Sequence, residues 1–124
     1  EGSTATLRAD TRLRPGFGDA AYARAFSRIE CHYFQNRGFL PKDGHILAEV
    51  ARIRDTPGVI VQGRYDMVCP PASAFMLHPA WPGSELRMVG DAGHALSEPG
   101  ITAELIAATD GFREPRAPAR RLAR

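Results

Sequence analysis

Two side chains in this sequence have the type and placement for acid–base work beside a nucleophile: His94, to take and return a proton, and Asp66, to orient and stabilise it. Asp66 lies three residues beyond Gly63, and His94 five residues beyond Val89. Each thereby follows a short apolar run that reads as a β-strand. Functional groups of open α/β sheets collect just past the carboxyl ends of parallel strands. An acid after one strand and a histidine after the next, in that chain order, fits the second and third members of a Ser…Asp…His arrangement. In that chemistry His94 takes the proton of a serine hydroxyl and later returns it to the leaving group. Asp66 accepts a hydrogen bond from the imidazole Nδ1–H, fixes the tautomer and stabilises the imidazolium. Taken singly, Asp66 reads as a turn residue and His94 as a loop histidine, since turns are rich in Asp. Their joint placement favours the chemical reading.

The third member is missing. The serines are Ser3, Ser27, Ser73, Ser84 and Ser97, and none stands in a G-x-S-x-G elbow. Ser73 and Ser97 lie near the acid and the histidine in sequence but lack the strained turn that exposes a nucleophile. Cys31 and Cys69 form no C-x-x-C pair, and the histidines His32, His45, His78 and His94 show no metal-ligand spacing. No metal site and no cofactor is expected. Cys69, three residues after Asp66, is a thiol expected to border the site, or else to be buried and inert.

The elements that must position these groups follow from periodicity. After an irregular lead-in over residues 1–18, Asp19 is a candidate N-cap, and Tyr22, Phe26, Ile29 and Tyr33 recur on one helical face. That helix should stop near Asn36 to Gly38. A second helix carries Ile46, Val50 and Ile53 and ends before Pro57-Gly58. Val59-Ile60-Val61, between Gly58 and Gly63, reads as a strand buried on both faces. Pro70-Pro71 opens a helix through about Leu77. Leu86 to Val89 is the next strand, and a last helix from Pro99 carries Ile101, Leu105, Ala108 and Phe112. Strand, helical crossover and strand imply a parallel α/β sheet. Two such strands leave both sheet edges open, so the pattern suits the C-terminal piece of a larger sheet domain.

Composition narrows the class. The chain has 124 residues, 44% hydrophobic and 24% charged, which is ordinary globular usage. The net charge of +2 divides unevenly: residues 113–124 carry +4 and the rest of the chain −2. The Pro-, Ala- and Arg-rich tail reads as solvated and disordered, and the slightly acidic body does not suit nucleic acid. No stretch approaches the roughly 20 apolar residues of a membrane span. No signal sequence is visible and the thiols are free, so a cytoplasmic location is expected.

Beyond spacing, Gly58-Val59-Ile60-Val61-Gln62-Gly63-Arg64-Tyr65-Asp66-Met67-Val68-Cys69-Pro70-Pro71 resembles the catalytic-acid segment of the prolyl iminopeptidases, serine peptidases of α/β-hydrolase fold. Asp91-Ala92-Gly93-His94 with Glu98-Pro99-Gly100 resembles their histidine turn; Ala95 stands where the family usually has serine. Ala25 to Phe34 (AFSRIECHYF) resembles a helix of their cap, and His78-Pro79-Ala80-Trp81-Pro82 the helix end before their last strand. The resemblance implies the C-terminal portion of an α/β-hydrolase fold plus the end of a helical cap. Residues 1–40 would be the cap remnant, 41–112 the C-terminal part of the core, and 113–124 the disordered basic tail. It implies release of an N-terminal proline from a peptide, with Asp66 and His94 as catalytic residues. It also implies that Glu30, and by the edge of a second motif Glu1, bind the substrate's amino group. A protonated secondary amine needs a desolvated anionic partner, which suits two carboxylates. In the family's chain order the serine lies ahead of the cap, so the partner implied is the missing N-terminal half of the hydrolase domain, and the chain alone should be inactive. Two other readings stay open: a different α/β-hydrolase, such as an esterase or epoxide hydrolase, and a non-catalytic chain that pairs with a partner through its sheet edge.

Overall fold

The computed structural model describes residues 5–7 and 19–113. The order of elements is α1 (Ala20–Gln35), a tight turn at Arg37–Phe39, α2 (His45–Glu49) running into a 3-10 turn at Val50–Ile53, β1 (Gly58–Gly63), α3 (Ala72–Ala80), β2 (Ser84–Val89) and α4 (Pro99–Arg113). The basic tail after Arg113 and the residue Glu1 lie outside the described residues.

Helix α1 starts where the sequence puts it. The Asp19 carboxylate accepts the Ala21 N–H at 2.9 Å, satisfying a donor that the first helical turn leaves open. It ends at Asn36, whose side-chain amide donates to the His32 carbonyl at 2.8 Å. The next three residues, Arg37, Gly38 and Phe39, all have left-handed backbone (φ of 53°, 62° and 59°), which is unfavourable at the two non-glycine positions. An aromatic cluster opposes that cost: the Phe39 ring meets Tyr33 edge-on at 5.5 Å and His32 at 5.4 Å.

The apolar face read for α1 exists, but no residue of the helix is buried. Ile29 is 63% and Phe34 73% exposed. The second helix is shorter than its periodicity implies. Regular α-geometry stops at Glu49, and the Val50–Ile53 turn carries the chain to Pro57 with Val50 buried.

β1 and β2 pair in parallel, in register from Gly58 opposite Ser84 to Gly63 opposite Val89. Among the described residues they form a two-stranded sheet, so each keeps one unpaired edge. The β-branched run of β1 is half-buried rather than enclosed on both faces, because among the described residues the packing on the pair comes chiefly from α3 and α4. The buried cluster is Val89, Ala92 and Ile101, with Val61 and Leu105 against it. Two side-chain bonds seat the crossover. The Trp81 indole N–H donates to the Thr56 carbonyl at 2.9 Å, and His78 Nδ1 lies 3.0 Å from Ser84 Oγ. Helix α3 runs to Ala80, past Leu77, with Pro79 inside it.

Candidate active site

The in-register ends of the strands generate the site. Because Gly63 stands opposite Val89, the loops that follow leave the sheet side by side. They are tied at once: Arg64 N–H donates to Val89 O at 2.9 Å, and Tyr65 N–H to Ala92 O at 3.0 Å. The approach is close enough to require glycine at position 63. A Cβ there would overlap the Gly93 carbonyl oxygen and lie 2.8 Å from that of Ala92.

Asp66 emerges from this junction only 7% exposed. Its Oδ1 accepts the backbone N–H of Val68 at 3.0 Å and of Cys69 at 2.7 Å. Its Oδ2 accepts the Gln62 side-chain amide at 3.2 Å and faces His94 Nδ1 at 3.1 Å. Burial is the largest single influence on this carboxyl and pushes its pKa up. The Cys69 N–H, the His94 ring, the Val68 N–H and the charge on His94 together outweigh it and leave the pKa below the usual value. Asp66 is therefore an anion at neutral pH.

With Nδ1 bonded to a carboxylate, Nδ1 carries the proton and the neutral ring's basic nitrogen is Nε2. The His94 side chain is 39% exposed, so the ring joins the buried acid to the surface. A surface-reaching imidazole, backed by a buried anion, is what general-base catalysis needs.

The structure thus brings Asp66 and His94 together. Glu30 sits half-buried on α1, whose packing is on the Arg37–Phe39 turn. No hydrogen bond or ion pair between described residues joins it to Asp66 or His94. Glu1 lies outside the described residues. Cys69 is exposed, and its thiol pKa is raised, first by partial desolvation and then by the Asp66 charge. No group of three or more His, Cys, Asp or Glu side chains among the described residues could hold a metal ion.

Sequence reasoning assigned no role to two residues that support the pair. Gln62 is the penultimate residue of β1, and besides Asp66 its amide reaches the Cys69 carbonyl at 3.2 Å, closing the acid's loop. Glu98 has a buried carboxylate that accepts the Gly93 N–H at 2.8 Å. Two signals were available for Glu98: its place in the Glu98-Pro99-Gly100 segment that resembles the family's histidine turn, and its position just before Pro99, where an acidic residue suits a helix start.

Comparison with known proteins bears directly on this geometry. No protein-family model matches the chain. It is 54% identical over 112 residues to a probable proline iminopeptidase of Leptolyngbya boryana, a match covering 90% of this chain and 35% of that protein. It is 50% identical over 110 residues to a proline iminopeptidase of Arabidopsis thaliana, covering 89% of this chain and 29% of that protein. The chain is a relative of the proline iminopeptidases. A third such protein, from Xanthomonas citri, is 48% identical over 112 residues, with 90% of this chain and 36% of that protein covered. The chain spans about a third of the length of these curated relatives. Its parallel strand pair with flanking helices is accordingly part of an α/β-hydrolase fold, and the parent proline iminopeptidase family is one of peptidases.

Proposed function

We propose that these residues are the C-terminal part of a serine exopeptidase that releases N-terminal proline from peptides, and that they contribute the acid and the base of its Ser-His-Asp triad. The observation that carries the reading is the 3.1 Å contact between Asp66 Oδ2 and His94 Nδ1 at adjacent parallel-strand ends. In this reading His94 Nε2 takes the proton of a serine supplied by sequence outside these residues as that serine attacks the prolyl carbonyl. The imidazolium, stabilised by Asp66, then protonates the departing amine, and His94 activates the water that releases proline. Residues 1–40 are the end of a cap, in which Glu30 and Glu1 hold the substrate's amino group. A free amino terminus bound this way excludes chains that extend beyond the proline, which makes the activity exopeptidic.

The 124-residue chain alone is expected to hydrolyse nothing at a useful rate, because a triad without its serine loses most of its catalysis. The test is cleavage of a proline arylamide by the chain, by a preceding hydrolase segment that carries the serine, and by the two mixed. Turnover by the mixture alone, lost by roughly 10⁴-fold or more with His94→Ala, is the expected result. Turnover by the pure chain, or a mixture indifferent to His94→Ala, would sink the proposal. A mixture that associates without hydrolysing would favour the partner-binding reading, which the unpaired strand edges support.

A further inference from the structure

We infer that Glu98 is a positioning residue for His94: its carboxylate fastens the histidine turn to the segment at residues 5–7, and so sets the ring against Asp66. The role rests on the triad reading above, but its geometry stands apart from any activity. Glu98 is 9% exposed, and its two recorded carboxylate bonds both run away from the helix it precedes. Oε1 accepts the Gly93 N–H at 2.8 Å, in a buried bond one residue before His94. Oε2 accepts the Leu7 N–H at 3.3 Å, from a segment ninety-one residues distant in the chain.

That same segment meets the turn a second time. The Ala5 carbonyl accepts both the His94 N–H at 2.9 Å and the Ala95 N–H at 2.7 Å. Three successive amides, Gly93, His94 and Ala95, therefore all have acceptors, and the backbone that carries the imidazole has no free hinge. Gly93 also lies close against this clamp, since a Cβ there would sit 3.0 Å from Leu7 N and 3.2 Å from Glu98 Oε1. The Glu98 backbone closes the turn from below: its N–H donates to Ala95 O at 2.9 Å, and its carbonyl accepts the Thr102 N–H at 2.9 Å. A buried carboxylate is costly unless its oxygens are matched. Here they are matched by the two strands of backbone whose relative position determines where the His94 ring stands. A cap residue serving only α4 would bond the amides of its own first turn instead.

The experiment is NMR of the 15N-labelled 124-residue chain, reading the downfield His94 Nδ1–H resonance and the amide exchange of Leu7 and Gly93. Glu98→Ala removes both acceptors, and is expected to cut the Nδ1–H signal several-fold in chain that keeps its dispersed methyl spectrum. Glu98→Gln retains one acceptor oxygen and should rescue part of the signal. A role in stability alone would lower the unfolding midpoint and leave the Nδ1–H signal of the folded chain unchanged; that result overturns the inference. Should Glu98→Ala not fold, Glu98→Gln decides: a signal and a Gly93 exchange rate equal to those of the native sequence overturn it, and a weakened signal supports it. Open-chain exchange of Leu7 and Gly93 in the unsubstituted chain also overturns it. Asp66→Asn separates this from the reading it rests on. If that change leaves the Nδ1–H signal intact, the Asp66–His94 pairing itself fails, whatever Glu98 does.

Discussion

At the scale of single residues, Asp66 is where burial and hydrogen bonding oppose one another most directly. Burial raises its pKa, while two backbone N–H groups and His94 lower it further than burial raises it. A carboxyl whose folded pKa lies below its unfolded value, near 3.9, stabilises the fold above that unfolded value. The contribution disappears as pH falls through the folded value. The stability of the native chain should therefore drop on acidification below about pH 4, and Asp66→Asn should flatten that part of the profile, as read by urea midpoints across pH. Asp66→Ala should cost more, about 1–3 kcal/mol for each donor left without an acceptor among Val68 and Cys69. Cys69 feels the same anion. Its raised thiol pKa predicts slow alkylation at neutral pH, accelerated by Asp66→Asn; equal rates in the two chains would contradict the assignment. The pair was legible in the sequence because each group follows a β-branched or apolar run at short range. Gln62 and Glu98 were not, because their partners are backbone groups brought near only when two parallel strands end level. Sequence spacing carries no trace of that.

At the scale of elements, the decisive contact is between loops rather than within the sheet. Gly63 closes β1 against the Gly93 carbonyl, which is backbone and cannot rotate away. Gly63→Ala is therefore expected to destabilise the chain by about 1–3 kcal/mol and to draw Asp66 from His94. Gly90→Ala, with nothing within 4 Å of the added carbon, is the matched control and should change stability by less than about 0.5 kcal/mol. Comparable urea midpoints for the two would remove the close-approach argument. The start and stop of α1 were legible from Asp19 and Asn36, both of which bond as caps. The left-handed Arg37–Phe39 run was not, since two of its residues disfavour that backbone and are held there by ring packing with His32 and Tyr33. The β1 run was read as enclosed on both faces, and its composition is that of such a strand. Its half-exposure reflects how few neighbours pack on it among the described residues.

At the scale of the whole molecule, the sequence asks for more burial than the described residues provide. No large side chain among them is fully buried, and Tyr22, Ile29, Tyr33 and Phe34 of α1 all stand exposed. The apolar cluster under the site amounts to Val89, Ala92 and Ile101 with two half-buried neighbours. A parallel pair with one face of each helix uncovered is a poor candidate for independent stability, because parallel strands are stabilised by being covered on both faces and on both edges. In the proposed function the uncovered surfaces belong to the remaining part of a hydrolase, which also brings the serine. Burial and activity should then appear together. The chain alone should bind a hydrophobic dye such as ANS at its uncovered faces, and should unfold at lower urea and with a shallower transition than the mixture. Mixing with the serine-bearing segment should suppress the dye signal, sharpen unfolding and start proline arylamide turnover over the same concentration range. If the dye signal falls and unfolding sharpens while no turnover appears at any ratio, the covering partner is real and the triad assignment is wrong. A chain that alone unfolds cooperatively and binds no dye would instead mean that the exposed α1 face and strand edges are not waiting for more sheet, and the reading of these residues as part of a larger domain would fall with it.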